Sequence, residues 1–227
     1  MGNVSVGIWI RFHFGMMMFF EGKKILILSP HTDDGEIGAG GFISKFSKCN
    51  EVFHASFSFA KDSIPSSFPE NSTEMEFSLA ANILSIPKKN RINFDYKVRR
   101  FLSKRQEILD DIIYLKKFIN PDLVLTPSSS DTHQDHEVIY KEGFRAFKNS
   151  TVLGYEMMAN NRGFLPGVFV ELSDEAFSEK IEAISQYKSQ LFKMPNLISI
   201  ISAGAICRGS QVNRQYAEAF EAIRLVI

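Results

Sequence analysis

Ile25-Leu-Ile-Leu-Ser-Pro-His-Thr-Asp-Asp-Gly-Glu36 is the stretch around which the rest of the chain is organised. Four aliphatic residues, bounded by Lys23-Lys24 and Ser29-Pro30, read as a short strand buried on both faces. His31, Asp33 and Asp34 follow at once, and then Gly35, Gly38, Gly40 and Gly41. In open α/β sheets, ligands collect beyond the carboxyl ends of strands, so these polar groups stand where chemistry is expected. An imidazole and two carboxylates lose hydration there without compensation unless they are paired or hold a metal. The same residues also suit an Asp-rich turn that caps the next helix, with Asp34 near its N-terminus.

A second cluster tips the balance towards chemistry. Asp131-Thr-His-Gln-Asp-His136 also follows an apolar strand, Leu123-Val-Leu125, and also opens a helix. Two clusters distant in sequence are thus expected at neighbouring strand ends. Catalytic zinc commonly takes three protein ligands and keeps one position open. His31, Asp34 and His136 can supply such an N,O,N set, which leaves Asp33 free as a general base. His133 can polarise a carbonyl or stabilise an oxyanion, and Asp135 can orient a histidine from behind. A carboxylate such as Asp131 or Asp135 near His133 favours its imidazolium form, so a protonated His133 is expected. His13 and His54 belong to neither cluster and read as structural.

Between the clusters, strands alternate with helices. Helices are expected over Gly40–Lys48, Ser72–Ile86, Phe101–Ile119, from His133 to Lys148, over Asp174–Gln190, and finally over Gln211–Arg224. The Phe101–Ile119 stripe includes Leu102, Ile108, Leu109, Ile112, Leu115 and Phe118, and that of Ser72–Ile86 includes Leu79. Strands are expected over Glu51–Phe59, Ile92–Val98, Leu123–Leu125, Val152–Met157 and Val168–Leu172. Lys61–Asn71 reads as a loop beside the site. This alternation predicts one α/β domain, a Rossmann-like and mainly parallel sheet with helices on both faces. No strict G-x-G-x-x-G is present to hold a dinucleotide.

The 227 residues, 44% hydrophobic and with formal net charge zero, suit one domain with a sizeable core. Charge balance gives no reason to expect a nucleic-acid partner. Cys49 and Cys207 form no C-x-x-C pattern, so a reducing, cytoplasmic setting is the default, and metal ligands must be His and carboxylates. Ile8–Phe20 is apolar but too short for a membrane span. Residues 1–22 are expected to be a tail outside the fold, with Met16, Met17 or Met18 as the natural start, and 23–227 to be the domain.

Pro30-His-Thr-Asp-Asp-Gly-Glu-Ile-Gly-Ala-Gly-Gly41 together with Asp131-Thr-His-Gln-Asp-His136 resembles the PIG-L/LmbE-like zinc-dependent de-N-acetylases. The likeness continues into Lys188-Ser-Gln190, Arg208-Gly209 and Tyr216-Ala-Glu-Ala-Phe220. The resemblance implies a Rossmann-like sheet and hydrolysis of an acetamido group, usually on an N-acetylglucosamine-type sugar. Carried onto this sequence, it implies His31, Asp34 and His136 as ligands of Zn²⁺ (Fe²⁺ suits the set almost as well), Asp33 as base and His133 at the oxyanion. Thr32 and Gln134 stand where the family has prolines, and Gly35 where it often has Glu. The substrate-contacting arginine of many members has no counterpart near Ser72; Arg99, Arg100 and Arg162 are the available substitutes. The expected partner is a small amino-sugar or glycoconjugate, and a homo-oligomer stays open. Two alternatives are a metallo-amidase on a non-sugar acyl amide and a sugar-binding module that has lost catalysis.

Overall fold

A computed structural model describes residues 21–226. The expected tail and His13 lie largely or wholly outside them. Seven strands form one sheet: β1 (Lys24–His31), β2 (Glu51–Ser58), β3 (Arg91–Asn93), β4 (Leu123–Pro127), β5 (Thr151–Tyr155), β6 (Val168–Leu172) and β7 (Tyr216–Arg224), in the order β3-β2-β1-β4-β5-β7-β6. The first five are mutually parallel, and β7 runs antiparallel between β5 and β6. The helices are α1 (Asp34–Phe46), α2 (Ser72–Ile83), α3 (Arg105–Ile119), α4 (Gln134–Ala146), α5 (Asp174–Ile184), α6 (Lys188–Lys193) and α7 (Leu197–Gln211). This is the expected α/β architecture.

β1 is the central strand, and its side chains divide the core. Ile25 and Ile27 join Phe42, Phe77 and Leu153 on one face, while Leu26 and Leu28 join Ile108, Ile112, Leu115 and Ile139 on the other. A strand buried on both faces needs this run of aliphatics rather than an alternating pattern. Strand order reverses between β1 and β4, so the carboxyl ends of these two strands flank the crevice where ligands bind in such sheets.

Several elements depart from the sequence-based expectation. The first helix begins at Asp34 rather than at Gly40, kinking at Ala39 (φ −141°, ψ 18°). Gly38 is required inside it because the ring of buried Tyr155 lies 2.3 Å from where a Cβ would stand. The Phe101–Lys104 turn is 3₁₀, which leaves Leu102 72% exposed; Phe118 and Leu79 also face outward. The stretch expected as one helix over Asp174–Gln190 breaks after Ile184, with α6 starting at Lys188.

The largest correction is at the C-terminus, where Tyr216–Arg224 is a strand and not the end of a helix. Ala and Glu favour helix, but tertiary pairing on both sides outweighs that preference. Glu218 explains much of it. Its carboxylate, nearly buried, accepts the N–H groups of Gly41 (2.8 Å) and Phe42 (2.6 Å) just past the α1 kink. It also pairs with buried Lys180 of α5 at 2.6 Å. β7 thereby caps the second half of α1. The expected cost of Glu218→Ala is about 3–5 kcal/mol, since Lys180 is left buried without its counter-charge; the double variant Lys180→Met/Glu218→Gln should recover part of it in urea unfolding. A loss below about 1 kcal/mol in the single variant would refute the capping role.

Candidate metal centre

β1 delivers His31 as its last residue, and α1 begins three residues later with Asp34. β4 ends at Pro127, and the segment from Ser128 brings His136 onto the first turn of α4. The two clusters read from the sequence therefore meet. Asp34 Oδ2 lies 3.0 Å from His31 Nδ1 and 3.2 Å from His136 Nε2, and those two nitrogens are 3.4 Å apart. Ligands bound at about 2.0–2.2 Å in a tetrahedron stand about 3.3–3.6 Å from one another, so this slightly tighter donor triangle is close to the size for a divalent cation. Three histidines (His31, His133, His136) also approach, with donor atoms within 4.8 Å of one another, but the triangle closed by Asp34 is tighter.

The far nitrogen of each ring is held by a second carboxylate. Asp135 Oδ2 lies 3.2 Å from His31 Nε2, and Asp131 Oδ2 lies 2.7 Å from His136 Nδ1. Such outer partners fix ring orientation and raise the basicity of the ligating nitrogen. Asp135 thus orients a histidine, as expected, but that histidine belongs to the other cluster. Asp131 does double duty, since its Oδ1 also accepts the His133 N–H at 2.9 Å.

Asp33 precedes α1 and its carbonyl accepts the Ile37 N–H at 3.0 Å. Among the described residues its carboxylate makes no ion pair or hydrogen bond with another side chain. Burial, reinforced by the adjacent Asp34 charge, raises its pKa to about 6. Asp34 moves the opposite way: burial works against it, but the charges of His136 and His31 hold it well below the usual carboxylate range.

His133 does not fit the expected imidazolium. Burial and the neighbouring charges of His136 and His31 pull its pKa down, outweighing Asp34 and Asp135. Its Nδ1 accepts the Asp135 N–H at 3.2 Å and so caps α4. The proton of the neutral ring therefore sits on Nε2, where it can be donated.

Gly35 is explained by a neighbour. A Cβ there would stand 2.6 Å from Ser29 Oγ and 2.7 Å from His54 Nε2, two atoms that hydrogen-bond to each other at 2.6 Å. His54 is fully buried. Arg99, Arg100 and Arg162 are all exposed. The arginine lining the adjoining cavity is instead Arg208 of α7, a helix missed in the sequence although Leu197, Ile200, Ile201, Gly204, Ala205 and Arg208 follow helical spacing. That cavity is lined by Asn160 but by no residue of the 61–71 loop.

The family model for GlcNAc-PI de-N-acetylases, PIG-L, matches residues 26–147, which include both clusters. The chain belongs to this family. It is accordingly a hydrolytic N-deacetylase by membership. It is 28% identical over 173 residues to the uncharacterized deacetylase YaiS of Escherichia coli (strain K12), covering 74% of this chain and 91% of that one. The N,N'-diacetylchitobiose deacetylase from Pyrococcus horikoshii superposes with a TM-score of 0.74 at 19% identity, covering 97% of this chain and 93% of that one. GalB, a 4-carboxy-2-hydroxymuconate hydratase from Pseudomonas putida, gives the same TM-score at 19% identity, with 90% and 98% covered. At such identities, likeness speaks for the fold alone. Among the described residues no helix is long and apolar enough to cross a membrane.

The metal-free electrostatics generate a prediction. For both histidines of the triangle burial lowers the pKa, but Asp34 and the outer carboxylates more than reverse it, to about 9 for His31 and about 10 for His136. Below these values the rings hold protons that coordination must expel; above them the rings are already neutral. Loading Zn²⁺ at pH 7 should release close to two protons, one from each ring, and the number should fall towards zero above pH 10. Affinity should rise with pH up to about 10. Calorimetry in buffers of different ionisation enthalpy counts these protons, and no release at pH 7 would exclude His31 and His136 as ligands.

Proposed function

We propose that the chain hydrolyses the N-acetyl group of an amino-sugar of the N-acetylglucosamine type, with His31, Asp34 and His136 holding Zn²⁺ or another divalent metal. The observation that carries this reading is the three-donor triangle with a second, unpaired carboxylate, Asp33, immediately beside it. A cation held there supplies Lewis acidity, lowering the pKa of water and polarising the amide carbonyl. The chain's own residues then divide the proton work. Asp33 accepts the proton of the attacking water and returns one to the amine nitrogen as the C–N bond breaks, releasing acetate and the free amino-sugar. His133, neutral and protonated on Nε2, donates a hydrogen bond to the oxygen on which negative charge builds.

This division favours an enzyme over a lapsed binding module, which needs neither an unpaired carboxylate nor a donor on a fixed tautomer. Amidase action on a non-sugar acyl amide uses the same groups, and a screen for acetate release over N-acetylated sugars and acyl amides separates the two.

Asp33→Asn keeps the size of the side chain but cannot take the proton. Its kcat is expected to fall by roughly 10²–10⁴-fold with bound metal unchanged. His136→Ala, by contrast, should lose most bound metal, as read by elemental analysis. In the parent, kcat/KM should decline on the acid side at or below pH 6, because Asp33 must be ionised and a nearby cation moves it lower still. Near-parental turnover in Asp33→Asn would remove that residue from the role.

His133→Ala should retain metal and lose roughly 10²–10³-fold in kcat, the usual cost of one oxyanion donor. Because a neutral ring does not titrate in this range, any alkaline limb of the profile should survive the substitution. Turnover normalised to bound metal, followed across pH, is the measurement; an unchanged kcat would leave His133 as a helix cap only.

A further inference from the structure

Beside the triangle lies a cavity of about 190 Å³, reached by Asp33 and Asp34 at one part of its wall and running under α7. Leu197, Ile200, Ile201, Gly204, Ala205 and Arg208 of α7 all line it, at spacings of three and four that place them on one helix face. From Leu197 to Arg208 the face is roughly 16 Å long at the rise of an α-helix. Ile37 and Met157 contribute apolar surface opposite, and Met158 (43% exposed) and Met194 (37% exposed) add flexible thioethers.

Away from Asp33 and Asp34 at the donor triangle, the charged groups in its wall are matched with one another. Arg208 makes a two-pronged pair with Glu156 at 2.9 and 2.5 Å, and Lys180 is paired with Glu218. The wall therefore offers a ligand chiefly hydrocarbon contact. Among the α7 residues that line it, side chains are smallest at Gly204 and Ala205. Met158 Sδ already fills the space over Gly204, since it lies 2.2 Å from where a Cβ would stand, so Ala205 is the position left open.

We infer that this chamber is a specificity subsite for an apolar substituent carried by the amide substrate, an alkyl or acyl chain of several carbons. The inference rests on the amino-sugar deacetylase reading for the position of the reacting amide and goes beyond it in the substrate class. Two sources offer such a chain, a longer N-acyl group on one side of that amide and an apolar aglycone on the other; the chemistry is the same, and the test separates them.

The test uses the full, metal-loaded protein and two substrate series. One lengthens the acyl group on glucosamine from acetyl to butanoyl to hexanoyl. The other lengthens the aglycone of N-acetylglucosamine from methyl to butyl to octyl. Along one series kcat/KM should rise roughly three- to fourfold per methylene until the chamber is filled. Ala205→Phe should flatten that rise and leave turnover of free N-acetylglucosamine unchanged. Ile200→Ser, at a half-buried position, should weaken the rise without overfilling the core, which covers the case in which the Phe variant fails to fold. Flat series in the parent, or slopes unchanged in both variants, would overturn the proposal. Calorimetric binding of the methyl and octyl N-acetylglucosaminides to the Asp33→Asn protein keeps the two readings apart. A tighter octyl glycoside, lost in the added Ala205→Phe or Ile200→Ser background, supports the subsite even if no N-acyl sugar is hydrolysed. Equal affinity for the two glycosides, with both substrate series flat, overturns it while leaving the deacetylase reading intact.

Discussion

One carboxylate oxygen, Asp34 Oδ2, is the point at which the two halves of the site are joined. It accepts the backbone N–H of its own cluster at His31 (2.8 Å) and faces the imidazoles of both His31 and His136. Those imidazoles come from chain positions 105 residues apart. Burying so much charge is tolerable only because the groups offset one another: two rings sit among Asp34, Asp131 and Asp135. The pairing of β1 with β4 is what sets the distance. Ile25, Leu26 and Ile27 align with Leu123, Val124 and Leu125, and the polar groups follow directly from both strand ends. The aliphatic run and the acidic cluster are thus two parts of one device, the first fixing the register in which the second is assembled.

The same oxygen explains why adjacent carboxylates differ. Asp34 is held ionised by two cationic neighbours, and its persistent charge is one of the forces that raise Asp33. Titratable groups pushed apart in this way suit the proposed division of labour, with Asp34 as fixed anion and Asp33 as proton acceptor. Both also lie at the N-terminal end of α1, where the helix dipole favours negative charge. Asp135 and the capping ring of His133 occupy the corresponding end of α4. Two helix starts facing one crevice supply a field that no single motif contains.

What could be read from the sequence was what is local. The strand Ile25–Leu28 and the histidines and carboxylates beyond it are consecutive, so their period and their cost in a buried place are visible in a dozen residues. The protonation of His133 was not legible, because it depends on how near His31 and His136 come, and that is set by strand pairing. β7 was misread because Ala217, Glu218 and Ala219 are helix formers whose partners, Gly41, Phe42 and Lys180, lie far away in the chain. α7 did carry a three-four spacing, but its stripe fades from isoleucine to glycine and alanine. Dilution by small residues hides a helix face whose purpose is to leave space.

That contrast coincides with a boundary in the chain. The match to the family model ends at Phe147, at the close of α4, and contains every residue of the donor triangle together with Asp33 and His133. Every residue of α7, along with Met157, Lys180 and Glu218, lies beyond it. Yet Glu218 reaches back to cap the kinked α1 that starts at Asp34, so the second half of the chain also braces the first. A wall built on β7 and α7 can therefore change its side chains at Ile200 or Ala205, which touch no metal donor, provided that the Glu218 contact is kept. The fold in this way lets the donor triangle stay fixed while the cavity beside it is reshaped, the two halves being tied by the Glu218 carboxylate and by the hydroxyls of Tyr187 and Tyr155, which donate to the carbonyls of Thr32 and Leu28.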